Sequence, residues 1–235
     1  MMVSRKNVRE MFDTISGRYD LINRILSFGL DKKWRRRLFN SLPKAPFDLL
    51  DLATGTGDQV ISFFELNAPI KQAIGIDISL KMLEVGKQKI EKRNLSSKVQ
   101  FLEGDALDIP LDDGSVDVVT ISFGIRNVED VDRCLSEIYR VLRPNGCLLI
   151  LEFSQVTNPF FRIGHKFYLR HILPKVGGFL SKQKSAYRYL NQTIETFPFG
   201  ANFCKLLEKA NFSKITFTPF TLGSVTLYKG EKNAP

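Results

Sequence analysis

The segment LLDLATGTGDQV (residues 49–60) is typical of a buried strand that leads into a glycine turn and then a helix. Gly55 and Gly57 let the backbone approach a ligand closely at the amino end of that helix. A dinucleotide fingerprint would need a third small residue at position 60, where the chain has Val60. Asp58 would repel a pyrophosphate but suits an ammonium or sulfonium ligand, although it could also serve only to cap the helix. The loop therefore favours a ligand without phosphates.

Apolar runs with strand composition recur on both sides of this loop, with helical patterns between them. Helical periodicity covers residues 80–94 and 130–143, and Pro144-Asn145-Gly146 is expected to end the second helix and turn into the next strand. This alternation predicts an α/β, Rossmann-like fold with a mostly parallel seven-stranded sheet that is covered on both faces. The strand-like runs are FDLLDLA (47–53), KQAIGIDI (71–78), KVQFLEG (98–104), VDVVTISF (116–123) and GCLLILEF (146–153).

The two ends of the chain and one internal segment add to this sheet. Residues 213–222 and 224–230 predict a C-terminal antiparallel hairpin. Residues 1–46 are amphipathic and basic, and we expect them to form a helical N-terminal lid. The remaining domain, 47–235, contains a helical insertion at 155–197, which follows a strand end where ligand sites are commonly built. Both helical segments are therefore predicted to lie on the substrate side.

The charge of the chain, formally +9, is unevenly distributed along the sequence. Residues 1–46 contain 11 Lys or Arg against four Asp or Glu, and residues 155–190 contain seven Lys or Arg and no acidic residue. Residues 47–154 contain 18 Asp or Glu against 11 Lys or Arg. Such asymmetry indicates an anionic partner, either nucleic acid or a membrane surface, although ordinary solvated faces would also account for it.

Several classes of protein are disfavoured by composition. The chain has no run of about 18 apolar residues that would form a transmembrane helix, and its first residues lack the apolar region of a secretory signal. Three widely spaced cysteines offer no disulfide framework, and two histidines, His165 and His171, make a zinc site improbable. We therefore expect a cytoplasmic protein without a metal.

Acidic residues follow successive strands at the edge where ligands bind in such sheets. Asp77 ends the second strand, twenty residues after Gly57, and could accept both hydroxyls of a ribose. Asp105 follows the third strand, where it could accept a hydrogen bond from an adenine amino group. With Asp58 and the glycine turn, these positions describe a site for an adenosyl ligand without phosphates. S-adenosyl-L-methionine is the cofactor that fits this description.

The end of the fourth strand, TISFGIRNVED (120–130), is expected to complete the site. Ser122 would lie beside the cofactor, whereas Arg126 and Asn127 would face the group that accepts the methyl. Structural alternatives exist, since Arg126 could pair with a local acid such as Glu129, and Asn127 could cap the next helix.

Several separate motifs, spread over nearly the whole chain, resemble those of the ubiquinone/menaquinone biosynthesis C-methyltransferases, the UbiE/MenG type that includes demethylmenaquinone methyltransferase. The departures from the family pattern are mild: Ile22 stands for methionine, Asp31 for histidine, Thr54 for glycine and Tyr228 for histidine. The matching segments are RYDLINRILSFGLDKKW (18–34), DLATGTGD (51–58), SFGIRN (122–127), RVLRPNGCLLILEFS (140–154) and SAYRYLNQTIETFP (185–198).

The resemblance implies a class I S-adenosylmethionine-dependent methyltransferase that converts demethylmenaquinol to menaquinol. For the mechanism, we expect Arg126 and Asn127 to orient the quinol oxygens, with help from Tyr19 and with a water as proton acceptor. A prenylated quinol substrate implies a transient, peripheral contact with the membrane surface, and a homo-oligomer is an open expectation. The alternatives are a dual menaquinone/ubiquinone C-methyltransferase, a nucleic-acid methyltransferase, although no nucleic-acid partner is expected, and a non-catalytic cofactor-binding protein. The expected cofactor-binding residues are Gly55, Thr56, Gly57, Asp77, Asp105, Ala106 and Ser122.

Overall fold

A computed structural model describes residues 5–176 and 184–234, so residues 177–183 of the expected insertion lie outside the described residues. The strands are β1 (Phe47–Leu52), β2 (Ile70–Asp77), β3 (Val99–Glu103), β4 (Val116–Ser122), β5 (Leu142–Phe153), β6 (Ser213–Phe220) and β7 (Val225–Glu231). The described strands form one sheet in the order β3-β2-β1-β4-β5-β7-β6. Strands β1 to β5 are parallel, and β7 is antiparallel to both β5 and β6. The α/β prediction with a C-terminal antiparallel hairpin is therefore confirmed.

The helices cover the faces of this sheet and the edge at which β1, β2 and β4 end. Side-chain caps define several helix starts: Ser79 Oγ accepts from Met82 N at 3.2 Å, and an Asp130 carboxylate oxygen accepts from Arg133 N at 3.0 Å. The described helices are α1 (Arg5–Ile15), α2 (Tyr19–Leu26), α3 (Leu30–Leu38), α4 (Asp58–Glu65), α5 (Leu80–Glu91), α6 (Val131–Val141), α7 (Pro159–Phe167), α8 (Lys184–Thr196) and α9 (Ala201–Lys209), with a π-helical turn at Tyr168–Ile172.

Alternating residues of the central strands supply two apolar cores, one on each face of the sheet. Leu49 belongs to the same core as Trp34 of α3 and Val60 of α4, whereas the next residue, Leu50, belongs to the core that contains Ile138 of α6 and Phe203 of α9. This alternation explains why the strands are apolar throughout: both of their faces are buried, as in other parallel sheets.

A third, smaller core lies apart from the sheet and joins the N-terminal helices to the segment after β5. Ile22 of α2 packs with Leu169, Leu173 and Ile194. The hydroxyl of Tyr168 donates to the carbonyl of Leu26 at 2.5 Å, which fixes the same pair of segments. Within the described residues, no helix is both long enough and apolar enough to cross a bilayer.

One element boundary differs from the sequence prediction. Helix α6 ends at Val141, and β5 begins at Leu142 and continues through the segment expected to be a turn. Asn145 N donates to Lys232 O, and Lys232 N donates to Gly146 O, both at 2.9 Å. Pairing with the residues after β7 therefore extends the strand, and Asn145 takes a positive φ of 64° at the irregularity.

Candidate active site

The loops after β1 and β2 are fastened together by Asp77. Its carboxylate accepts from Gly55 N at 2.8 Å and from Ser79 N at 2.9 Å. Burial raises the pKa of Asp77 to about 6, although these two backbone hydrogen bonds oppose the shift. Asp77 is therefore mostly ionised at pH 7 and can accept hydrogen bonds from a ligand.

A buried acid, Asp51 of β1, also holds the glycine loop in place. Asp51 accepts from Thr54 Oγ1 at 2.6 Å and from Thr120 Oγ1 at 2.5 Å. Burial raises the pKa of Asp51, and the two hydroxyl groups oppose that rise. Thr54, which departs from the family pattern, is thus used to hold the loop on β1 and β4.

A cavity at this strand edge, here called the cofactor cavity, brings together five of the seven predicted cofactor-binding residues: Gly55, Asp77, Asp105, Ala106 and Ser122. Its other walls include the apolar side chains of Ile78, Met82 and Leu107, together with the carboxylate of Glu129. Among the described residues that line it, none is Lys or Arg. Carboxylates between apolar walls match the hydroxyls, flat base and positive charge of S-adenosyl-L-methionine, whereas a phosphate would find no basic side chain there.

The other two predicted residues, Thr56 and Gly57, are not among the residues that line this cavity, and their contact with a cofactor stays a prediction. Thr56 Oγ1 donates to an Asp20 carboxylate oxygen of α2 at 2.6 Å. Lys89 of α5 forms ion pairs with Asp20, at 2.9 Å, and with Asp58. Burial alone would raise the pKa of Asp58, but nearby cationic charge, chiefly Lys89, lowers it. Asp58 therefore neutralises Lys89 and does not line the cofactor cavity, in contrast to the sequence hypothesis.

A second and mainly apolar cavity, here called the acceptor cavity, adjoins the first. Helices α1, α2 and α3 line one side of it, and α7, the π-helical turn and α8 line the other. Four residues line both cavities and form their common wall: Phe12, Tyr19, Phe123 and Asn127. The two cavities therefore meet at these four residues, so ligands bound in them would be neighbours.

Arg126 lies on the wall of the acceptor cavity and is held there by a buried ion pair. Its Nη1 lies 2.6 Å from Glu152 Oε1 and donates to the carbonyl of Phe123 at 2.6 Å. The side chains of Arg126 and Glu152 are only 6% and 1% exposed. Arg126 Nε is buried and has no hydrogen-bond partner. The alternative pairing with Glu129 is not observed.

Two further titratable groups line the acceptor cavity. Burial raises the pKa of the Tyr19 phenol, so this hydroxyl is protonated at neutral pH. Burial also lowers the pKa of His165, so its imidazole is neutral at pH 7. His165 belongs to no recognised motif, so it was not predicted as a site residue. Glu152 was not predicted either, although a single acid within the apolar strand LLILEF was an available signal.

Two other family departures are accommodated by local partners. Asp31 accepts from Ser27 Oγ at 2.9 Å and lies 3.4 Å from Arg24. Tyr228 is buried, and its hydroxyl accepts from Gly200 N at 2.7 Å. Both substitutions are thus satisfied within the fold.

The sheet order, the C-terminal antiparallel pair and the cofactor cavity define the class I S-adenosylmethionine-dependent methyltransferase fold. A solved methyltransferase of this class from Thermotoga maritima superimposes with a TM-score of 0.69 at 19% identity, over 95% of this chain and 99% of its own.

Comparison of sequences gives a finer assignment: the chain belongs to the ubiE/COQ5 methyltransferase family, whose model matches residues 1–232. The demethylmenaquinone methyltransferase of Thermus thermophilus is 42% identical over 94% of this chain and 100% of its own length. The ubiquinone/menaquinone biosynthesis C-methyltransferase UbiE of Geotalea daltonii is 41% identical over 97% of both chains.

Proposed function

We propose that this protein transfers the methyl group of S-adenosyl-L-methionine to a ring carbon of demethylmenaquinol and thereby produces menaquinol. The observation that carries the proposal is the common wall of the two cavities, at Phe12, Tyr19, Phe123 and Asn127. One cavity suits a cationic adenosyl ligand, and the other suits an apolar ring with a tail. The Thermus thermophilus relative, which is similar over its whole length, bears the name demethylmenaquinone methyltransferase.

The residues of the cofactor cavity account for binding of the methyl donor. When bound, the cofactor supplies an electrophilic methyl group. Asp77 accepts from the ribose hydroxyls and Asp105 from the adenine amino group, while Ala106 and Ser122 complete the walls. The open space around Gly55, where an added Cβ would meet no atom within 4 Å, leaves its backbone accessible.

The residues of the acceptor cavity hold and orient the quinol. Apolar walls such as Trp34 and Phe153 take the ring and the first part of the prenyl tail. Arg126 donates through its unpaired Nε to one quinol oxygen. Asn127, on the common wall, helps to orient the quinol oxygens. The enzyme needs no nucleophile of its own, because the electron-rich ring carbon attacks, and positioning is the main contribution of the protein.

His165 is the proton acceptor in this proposal, in place of the water expected from the sequence. Its neutral imidazole takes the proton of a quinol hydroxyl, which raises the electron density at the ring carbon. After the carbon–carbon bond forms, the ring carbon releases its own hydrogen as a proton. The hydroxyl is then reprotonated, so that one proton is released per methyl group transferred.

A prenylated quinol resides in a bilayer, so the enzyme meets its substrate at the cytoplasmic surface of the membrane. The contact is transient and peripheral in this proposal. Anionic lipids attract the basic residues of the N-terminal lid and of the insertion, with about 1 kcal/mol for each favourably placed cation.

The test is a methyl-transfer assay with isotopically labelled S-adenosyl-L-methionine under anaerobic conditions. Demethylmenaquinol and a demethylated benzoquinol are supplied in parallel, because the Geotalea daltonii relative is named for both quinones. Label in menaquinol alone is the expected result, and label in both products would make the enzyme a dual-pathway one. Label in neither product, with cofactor binding intact, would refute a quinol acceptor.

A pair of variants separates the site from the surface in the same assay. Arg126→Gln should lower turnover about a hundredfold or more while leaving cofactor affinity unchanged, because Arg126 lines only the acceptor cavity. Arg133→Gln, at an exposed position on α6, is the control and should retain wild-type turnover. Equal turnover in the two variants would refute the role of Arg126.

A further inference from the structure

Helix α7 exposes a row of large apolar side chains. Phe160, Ile163 and Phe167 are spaced three and four residues apart, so they lie along one face of the helix. Their exposed fractions are 81%, 76% and 58%. Isolated exposed apolar residues are ordinary, but a contiguous row of this kind marks an interaction surface.

The turn between α2 and α3 extends this surface across the neighbouring segment. Phe28 is 79% exposed, and its ring lies 5.9 Å from that of Tyr168, the residue directly after α7. We call Phe28, Phe160, Ile163 and Phe167 the apolar rim.

The apolar rim lies beside the acceptor cavity. Phe28 itself lines that cavity. His165 and Tyr168 also line it, and they alternate along the chain with the rim residues Ile163 and Phe167. A partner that covers the rim would therefore sit next to the space proposed for the acceptor.

The charge around the rim identifies the kind of partner. Arg162 and Lys166 are exposed on α7 itself, and residues 155–190 contain no Asp or Glu. A helix with aromatic and aliphatic side chains on one face and basic residues on the other is typical of helices that lie in a membrane interface. A second copy of the same chain would place basic residues against basic residues, which is unfavourable.

We infer that the apolar rim docks the enzyme on an anionic lipid bilayer, with Phe160, Ile163 and Phe167 inserted among the acyl chains. Arg162 and Lys166 contact the lipid phosphates. The acceptor cavity then opens toward the bilayer that holds the prenylated substrate. The link to this substrate rests on the proposed function, whereas lipid binding does not.

The test is sedimentation of the full-length protein with vesicles. We expect binding to vesicles of phosphatidylcholine mixed with phosphatidylglycerol, and much weaker binding to vesicles of phosphatidylcholine alone. Phe160→Ser/Ile163→Ser should weaken binding to the anionic vesicles at least about tenfold, because two large apolar side chains are no longer buried among the acyl chains. Arg162→Gln/Lys166→Gln should weaken binding about tenfold or more, because two cations no longer attract the lipid phosphates.

Phe217→Ser is the matched control, because Phe217 is also a half-exposed aromatic residue but lies on the edge strand β6. It should bind vesicles as the wild type does. Wild-type vesicle binding by Phe160→Ser/Ile163→Ser, or equal binding to neutral and anionic vesicles, would overturn the inference. A dimer that these substitutions dissociate, without any vesicle binding, would also overturn it and assign the rim to self-association.

Activity with two acceptors distinguishes this inference from the proposed function. A demethylated naphthoquinol without a tail, dissolved in buffer, should be methylated equally by the wild type and by Phe160→Ser/Ile163→Ser. The long-tailed quinol in anionic vesicles should show a raised KM only in the variant. If the wild type methylates neither quinol yet binds anionic vesicles, the proposed function fails and the docking surface remains.

Discussion

The ion pair between Arg126 and Glu152 gives the most direct test of the acceptor cavity. Glu152 accepts from Arg126 Nη1 at 2.6 Å and from Phe153 N at 2.8 Å, and it is 1% exposed. We consider Glu152→Gln, which preserves the shape of the side chain but removes its charge. Arg126 would then stay charged and buried, at 6% exposure, without a counter-ion.

The expected loss of stability follows from that burial. Removing one partner of a buried ion pair costs about 3–5 kcal/mol, because the remaining charge is no longer compensated. For a chain of this size, each kcal/mol lowers the midpoint of thermal unfolding by about 2–4 °C. Glu152→Gln should therefore unfold about 6–20 °C below the wild type.

The assay combines thermal unfolding with methyl transfer for four proteins: wild type, Glu152→Gln, Arg126→Met and the double variant. The double variant should be more stable than the sum of the single effects predicts by about 2 kcal/mol or more, since it leaves no unpaired charge. Glu152 lines neither cavity, so it acts through Arg126: Glu152→Gln should lower kcat while cofactor affinity is unchanged. Additive single effects, or a Glu152→Gln protein as stable and active as the wild type, would refute this reasoning.

The remaining predictions concern the cofactor site and the proton acceptor. Cofactor affinity, measured by calorimetry, should weaken about tenfold from pH 7 to pH 5, because Asp77, with a pKa of about 6, becomes protonated. If Asp77→Asn showed the same dependence of affinity on pH, the effect would belong to another group. Gly55→Ala should lower the free energy of unfolding by only about 1 kcal/mol, because the positive φ of 56° is unfavourable for alanine. The same variant should weaken cofactor binding at least about tenfold. Gly57→Ala should lower the free energy of unfolding by more than about 2 kcal/mol, because its Cβ would lie 2.6 Å from Phe101 Cζ; equal stability of the two glycine variants in urea would contradict this contrast. His165→Gln should lower kcat about a hundredfold and abolish the fall of kcat at acidic pH. The reason is that burial holds the pKa of His165 below 6.5 and only the neutral form accepts a proton. An unchanged pH profile of kcat would exclude His165 as the base.

Local patterns were sufficient for the sheet and for the strand ends that border the cofactor cavity. The apolar runs identified β1 to β5 because both faces of these strands are buried, and Asp77 was located because it ends a strand at the ligand edge. Arg126 was placed at the acceptor side by its position after β4. Strand order and chain direction determine where these residues lie, whereas their roles stay predictions.

Other features depend on contacts between distant residues. Glu152 pairs with Arg126 across 26 positions because β5 lies beside β4, whereas the nearer Glu129 lines the cofactor cavity. Asp58 was expected at the ligand, but the long side chain of Lys89 reaches it from α5. Which of several acids a given cation will meet follows from tertiary packing, which a single sequence does not display.

The common wall of the two cavities has a kinetic consequence. Phe12 and Tyr19 both come from the N-terminal segment, so the same piece of chain borders the cofactor and the acceptor. Next to Tyr19, Asp20 ties this segment to Thr56 and Lys89. Displacing the segment would expose both cavities at once and would break these polar links. This arrangement predicts sequential kinetics through a ternary complex, which initial-rate measurements with both substrates varied would check.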